Sequence, residues 1–169
     1  MSDLVIRPGR RDDIPALLAI YNHYVATSAV TFDIVPLTLE QRLEWFGHYA
    51  ETGRHRLLVA VNPASAAVVG YATSSPLRLK PAYATSVETS VYAHPDALGR
   101  GIGSALYADL FDALTIEDVH RAYAGVALPN EASVALHHKF GFRDLGVYRE
   151  VGRKFDQWWD VTWFEKPLG

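Results

Sequence analysis

Thr89-Ser-Val-Tyr-Ala-His-Pro-Asp-Ala-Leu-Gly-Arg-Gly-Ile-Gly-Ser-Ala-Leu-Tyr107 is the most informative stretch of this chain. A β-like run ends at Pro95, glycines follow at 99, 101 and 103, and then apolar residues recur at helical spacing. Alternating glycines let backbone N–H groups turn toward one point with no Cβ in the way. The helix that follows directs the partial positive charge of its amino terminus to the same place. Physically this is a cradle for an oxyanion, with Arg100 as an added cation and Ser104 as a hydroxyl donor.

Three readings of such a turn compete. A phosphate loop of the nucleoside-triphosphatase kind needs Gly-Lys-Ser/Thr after its second glycine, and none is present. A dinucleotide-binding turn wants Gly-x-Gly-x-x-Gly/Ala on the first strand–helix unit. Here Gly101-Ile-Gly103-Ser-Ala-Leu106 misses the last position. The third reading is a glycine-rich connection that holds nothing.

Working outward, Leu4–Arg7 reads as a first strand. Asp12 or Asp13 then caps a helix with Pro15 in its first turn, where a missing N–H costs little. Ile14, Leu17, Leu18, Tyr21 and Val25 give that helix a core-facing stripe. Thr38 and Gln41 make a capping box for a second helix, with Leu39, Leu43 and Phe46 on its buried face. Leu57–Val61 and Val68–Ser74 read as a hairpin around Asn62-Pro-Ala-Ser65. After a loop with Pro76 and Pro81, Val87–His94 is a strand, and the glycines lead into a helix through Leu114. Ala122–Leu128 reads as a strand, Glu131–Phe140 as a helix, and Arg143–Glu150 and Trp158–Glu165 as closing strands. This order predicts an α/β (or α+β) protein with a mixed sheet and helices on both faces.

Composition bounds the function. A chain of 169 residues with no repeats or linker-like stretches is expected to form one domain, 1–169. Apolar residues make up 49% and charged residues 21%, enough to build a core and far from disorder. The net charge of -3 provides no global basic field for nucleic acid or an anionic membrane. With 0 Cys, disulfide scaffolds, thiolate nucleophiles and Cys-built metal sites are excluded. The 7 His show no metal-binding spacing, and adjacent His137 and His138 point about 100° apart on a helix, a poor two-ligand clamp. No metal is expected. The amino terminus lacks the layout of a secretory signal, and no apolar run approaches the roughly 20 residues that cross a bilayer. A soluble, cytoplasmic protein is expected.

The glycine turn closely resembles the pyrophosphate-binding motif of the GCN5-related N-acetyltransferases, Gln/Arg-x-x-Gly-x-Gly/Ala. Gly101 and Gly103 hold its two small positions, Arg100 and Ile102 are typical companions, and Leu98 stands where Gln or Arg is usual. The likeness runs from Leu4 to Leu168. Ile20-Tyr-Asn-His-Tyr24, Thr31-Phe-Asp33, Gly70-Tyr-Ala72, Ser90-Val-Tyr92, Leu128-Pro-Asn130, Gly141-Phe142 and Gly152-Arg-Lys-Phe155 resemble the phosphinothricin and methionine sulfoximine acetyltransferase subfamily. It implies a central twisted mixed sheet of about seven strands with helices on both faces. It also implies acetyl-CoA as donor, no metal, an acceptor amine on a small amino-acid analogue, and a homodimer.

Residue roles follow from the chemistry and the resemblance together. Acetyl transfer from a thioester requires an amine that loses a proton, a polarised carbonyl and a neutralised thiolate. Glu88, in a strand-like run beside the expected thioester, is the candidate base. His137 stands where the family usually has a tyrosine acid, and is the candidate donor to the thiolate. The alternative assignment makes His137 the base, with Glu88 positioning the amine. The backbone of Val91, Tyr92 and Ala93 is expected to polarise the carbonyl, and Gly99, Arg100, Gly101, Ile102, Gly103 and Ser104 to hold the diphosphate. Asn130 resembles the residue that bonds the pantetheine arm, and Lys139 is either a phosphate ligand or solvated. Arg78, in a loop between two prolines, suits bidentate capture of an acceptor carboxylate. Phe32, Tyr83 and Tyr92 are candidate pocket walls or simply core. Trp158, Trp159 and Trp163 load the last strand with apolar surface suited to a twin subunit. Two rival functions remain: a peptide or protein N-terminal acetyltransferase, and a non-catalytic acyl-CoA-binding protein.

Overall fold

In the computed structural model, which describes residues 4–169, seven strands form one sheet in the order β1-β2-β3-β4-β5-β7-β6. The strands are β1 (Val5–Pro8), β2 (Leu57–Val61), β3 (Val68–Pro76), β4 (Ser86–Ala93), β5 (Arg121–Ala127), β6 (Arg143–Lys154) and β7 (Gln157–Pro167). The helices are α1 (Ile14–Thr27), α2 (Leu39–Phe46), α3 (Ile102–Leu114) and α4 (Glu131–Lys139). All neighbours are antiparallel except β4 and β5. The α/β mixed sheet expected from the order of elements is therefore present.

Two cores form on the two faces of the sheet. Ile102, Leu106, Leu110 and Leu114 of α3 pack with Val87, Ala122, Ala124 and Phe164. Ile14, Leu17 and Ile20 of α1 pack with Leu57, Val59 and Tyr71 on the other face. Strand alternation requires this division, because neighbouring side chains on β4 point to opposite faces.

Local details depart from expectation in two places. Thr38 and Gln41 do form the capping box of α2. Asp13, by contrast, precedes α1 without capping it, because its carboxylate is engaged by the fork of Arg7 (2.7 and 2.8 Å) and by the Arg10 N–H. On α2, Leu39 is 47% exposed, whereas Arg42 is buried. The inward stripe is rotated toward Arg42 because its weakly hydrated guanidinium stacks on rings, 3.5 Å from Trp45 and 4.8 Å from Tyr21. It also donates to the Tyr71 hydroxyl at 2.7 Å.

Candidate active site

Strands β4 and β5 are parallel for only three pairs: Ser86 with Arg121, Val87 with Ala122, Glu88 with Tyr123. Beyond Glu88 they part. β4 stays bonded to β3 as far as Ala93, and β5 stays bonded to β7 as far as Ala127. The gap opens a cleft of about 620 Å³, walled by Ser90–Ala93 on one side and Gly125–Ala127 on the other. Strand edges that have lost a neighbour present backbone groups to whatever enters. Val91, Tyr92 and Ala93 thus line the cleft. Tyr24, which the sequence reading did not single out, also borders it and donates to the Ala93 carbonyl at 2.7 Å.

The glycine turn closes one end. Gly99 and Gly101 adopt φ of +73° and +77°, the left-handed region that side chains disfavour. A Cβ built at either would meet nothing within 4 Å, so backbone conformation and not crowding is what favours glycine there. The N–H groups of the first turn of α3 have no partner within the helix. Ile102 seats that helix on Gly70, where a Cβ would come within 2.7 Å of its methyl group. Gly99, Gly101, Ile102, Gly103 and Ser104 all line the cleft. Lys139 reaches across from α4 to donate to Ser104 Oγ at 2.9 Å, adding a cation at the cradle. Arg100 is exposed and lies outside the lining. Open amides, a helix amino terminus and a lysine suit a diphosphate, so the residues present fit the expected coenzyme.

Glu88 is half-buried and, by strand alternation, shares the α1/α2 face with Ser90 and Tyr92. Burial raises its carboxyl pKa, and the charge of Arg78 opposes the rise. Arg78 lines a second cavity of about 400 Å³ together with Tyr123, the pairing partner of Glu88, and with Trp163. The Arg78 guanidinium is exposed and donates to its neighbour's carbonyl, Leu77, at 2.7 Å.

On the α3 face, His137 is buried. Its Nδ1 lies 2.7 Å from the Ser133 carbonyl oxygen, and its Nε2 lies 3.0 Å from the Tyr107 hydroxyl. Burial lowers the imidazole pKa, with the Ser133 carbonyl working against it. Asn130 Oδ1 accepts from the Ser133 N–H at 3.1 Å, capping α4 and leaving its side-chain N–H groups for a ligand. His138 points outward and pairs with Asp144. Tyr107 and Thr89 both border the cleft and were not singled out as site residues. The available signal was a tyrosine on the buried stripe of α3, whose hydroxyl needs a partner.

The aromatic candidates do not gather into one wall. Phe32 packs over Gly152 of β6, where an added Cβ would stand 2.2 Å from the ring. Tyr83 is 45% exposed and borders neither cavity. The Tyr92 ring belongs to the α1/α2 core, stacked on Tyr71 at 5.4 Å and edge-on to Tyr21 at 5.4 Å. These three are core or surface first, because aromatic area is satisfied most readily by packing. Of the closing tryptophans only Trp158 is exposed. Trp159 donates to the Lys154 carbonyl at 2.9 Å, and the Trp163 ring covers Gly125. Among the described residues, no three His, Asp or Glu side chains come together as a metal site would require. Nor is any helix of the described residues long and apolar enough to cross a membrane.

The chain is similar in sequence and in fold to known proteins. The chain is 58% identical over 167 residues to a phosphinothricin N-acetyltransferase of Streptomyces coelicolor, covering 99% of this chain and 98% of that protein. It is 34% identical over 163 residues to an L-methionine sulfoximine/L-methionine sulfone acetyltransferase of Pseudomonas paraeruginosa, covering 96% and 94%. The crystal structure of a phosphinothricin acetyltransferase from Sinorhizobium meliloti, in complex with AcCoA, superposes with a TM-score of 0.92 at 29% identity. It covers 100% of this chain and 90% of that one. The acetyltransferase (GNAT) domain family matches residues 6–163, and the chain belongs to that family.

Proposed function

We propose that the chain is an acetyl-CoA-dependent N-acetyltransferase whose acceptor is the α-amine of a small amino-acid analogue. Phosphinothricin, methionine sulfoximine and methionine sulfone are the acceptors that the names of its relatives suggest. The observation that carries the reading is the β4–β5 gap, with an anion cradle at one end and half-buried Glu88 where the strands part. In this reading the cradle and Lys139 hold the diphosphate, and the arm runs down the gap past Asn130. Glu88 takes the amine's proton, directly or through a water. The amine nitrogen bonds to the thioester carbonyl carbon while main-chain N–H groups on the freed edge of β4 receive the oxygen's developing charge. The C–S bond then breaks and the thiolate is protonated. Arg78, whose charge reaches Glu88, takes the acceptor carboxylate.

A homodimer built on β6 and β7 belongs to the same reading. Leu145, Val147, Tyr148, Val151, Phe155 and Trp158 are each between 42% and 60% exposed. Exposed apolar side chains carried on one hairpin are the kind of surface that a twin subunit would cover.

A thiol-release assay with acetyl-CoA tests the function against amino acids, sulfones, sulfoximines, polyamines and peptides. Release with the amino-acid analogues is expected. Release with peptides alone, or cofactor binding without turnover, contradicts it.

A further inference from the structure

Neither ring nitrogen of His137 is free. Nδ1 sits 2.7 Å from the Ser133 carbonyl oxygen, which has no hydrogen to give, so Nδ1 carries the proton. In the neutral ring Nε2 is then an acceptor, and the Tyr107 hydroxyl donates to it across 3.0 Å. The ring is held in this pose by stacking on Phe164 (5.3 Å, 8°) and by the Phe142 edge contact (5.0 Å). Tyr107 is placed differently. Its oxygen also lies 3.4 Å from Thr89 Oγ1, and Thr89 is the first residue of β4 beyond its pairing with β5. The hydroxyl therefore links the imidazole, which also lines the cleft, to the residue at which the strands part.

We propose that the proton received by the departing thiolate comes from the Tyr107 hydroxyl, with His137 behind it as the reservoir, so that Tyr107 is a catalytic residue. The step rests on the acetyl-transfer reading above. It starts with His137 doubly protonated, the form that burial disfavours and that therefore gives up its proton readily: Nε2–H donates to the Tyr107 oxygen, and the phenol hydrogen turns toward the cleft. As the C–S bond breaks, sulfur takes the phenol hydrogen and the phenol oxygen takes the Nε2 proton. His137 ends neutral with its proton on Nδ1, and the net change is one proton moved from imidazolium to thiolate. Burial holds the Tyr107 pKa far above its ordinary value, so both transfers must occur together and no free phenolate forms. The other titratable group beside His137 is His138, which is turned away and paired with Asp144.

The test is Tyr107→Phe, His137→Gln and the double variant in the full chain, read by kcat, the KM for acetyl-CoA and thermal unfolding. Each single variant is expected to lower kcat about 100-fold while that KM stays within about threefold. The double variant should be no slower than the worse single one, because the pair acts as a unit. If the phenylalanine variant does not fold, 2,3-difluorotyrosine at position 107 keeps the shape and acidifies the phenol. The pH profile of kcat should then move. A Tyr107→Phe kcat within about threefold of the parent protein, multiplying losses, or a superimposable fluorotyrosine profile would each overturn the proposal. A parent protein that acetylates none of the acceptors removes the underlying reading instead, and this step with it.

Discussion

Glu88 and Thr89, neighbours on β4, send their side chains to opposite faces of the sheet at the point where β5 leaves it. Glu88 faces the α1/α2 layer, where the charge of Arg78 reaches it, and Thr89 faces the Tyr107 hydroxyl that meets His137. A group entering beside Glu88 and a group leaving beside Tyr107 would thus meet across one strand. This geometry suits direct transfer, in which the amine attacks on one side and the thiolate departs on the other.

Replacing Glu88 by Gln separates catalysis from stability. Activity should fall by about 10²–10⁴, the range for a lost general base. Stability should move the other way. Because burial raises the folded carboxyl above 4.5, the protonated form is the one the fold favours. Its contribution is complete below that unfolded value and is lost as pH rises through the folded pKa. At pH 7 the carboxylate is therefore a cost that the amide removes, and Glu88→Gln should raise the Tm there, with the gain vanishing in acid. A lower Tm at neutral pH would contradict this.

The cradle depends on backbone conformation. Gly101 holds a φ of +77°, where a side chain costs about 1–2 kcal/mol. Gly101 also lines the cleft, so a change in its backbone conformation alters the cradle directly. Calorimetry should find the Kd for acetyl-CoA raised at least about tenfold by Gly101→Ala, and further by Val. An unchanged Kd would remove the cradle.

Lys139 bonds Ser104 Oγ at the amino end of α3. Lys139→Met should raise the KM for acetyl-CoA several-fold in low salt, with the difference shrinking as salt screens the charge. A short thioester lacking the diphosphate should be used equally well by both proteins.

Arg78 should discriminate between acceptors. Arg78→Ala is expected to raise the KM about tenfold or more for acceptors carrying a carboxylate, the cost of a charge-assisted pair. Simple amines should be unaffected. Equal effects on both classes would reject the assignment.

The elements that rest on local chemistry were legible in the sequence. The Thr38–Gln41 box, the break at Pro95 and the glycine turn each appear where their residues place them. Arg42 was not legible, because its burial depends on rings from α1 and β3 as well as its own helix. Nor was the gap beyond Glu88, which reflects where two strands more than thirty residues apart stop pairing. The relation of Tyr107 to His137 has the same origin. Each lies on a buried helix face by its own spacing, and only the packing of α3 and α4 on one side of the sheet brings them to 3.0 Å. Phe32, read as a pocket wall or simply core, packs over Gly152, a contact 120 positions away in the chain that no local pattern encodes.

A crystal grown with acetyl-CoA decides the matter most directly. The diphosphate should lie within hydrogen-bond distance of the main-chain amides of residues 101–104, with the thioester between β4 and β5 beside Glu88 and Tyr107. A coenzyme bound elsewhere, or one whose acetyl group lies far from Glu88, would contradict it.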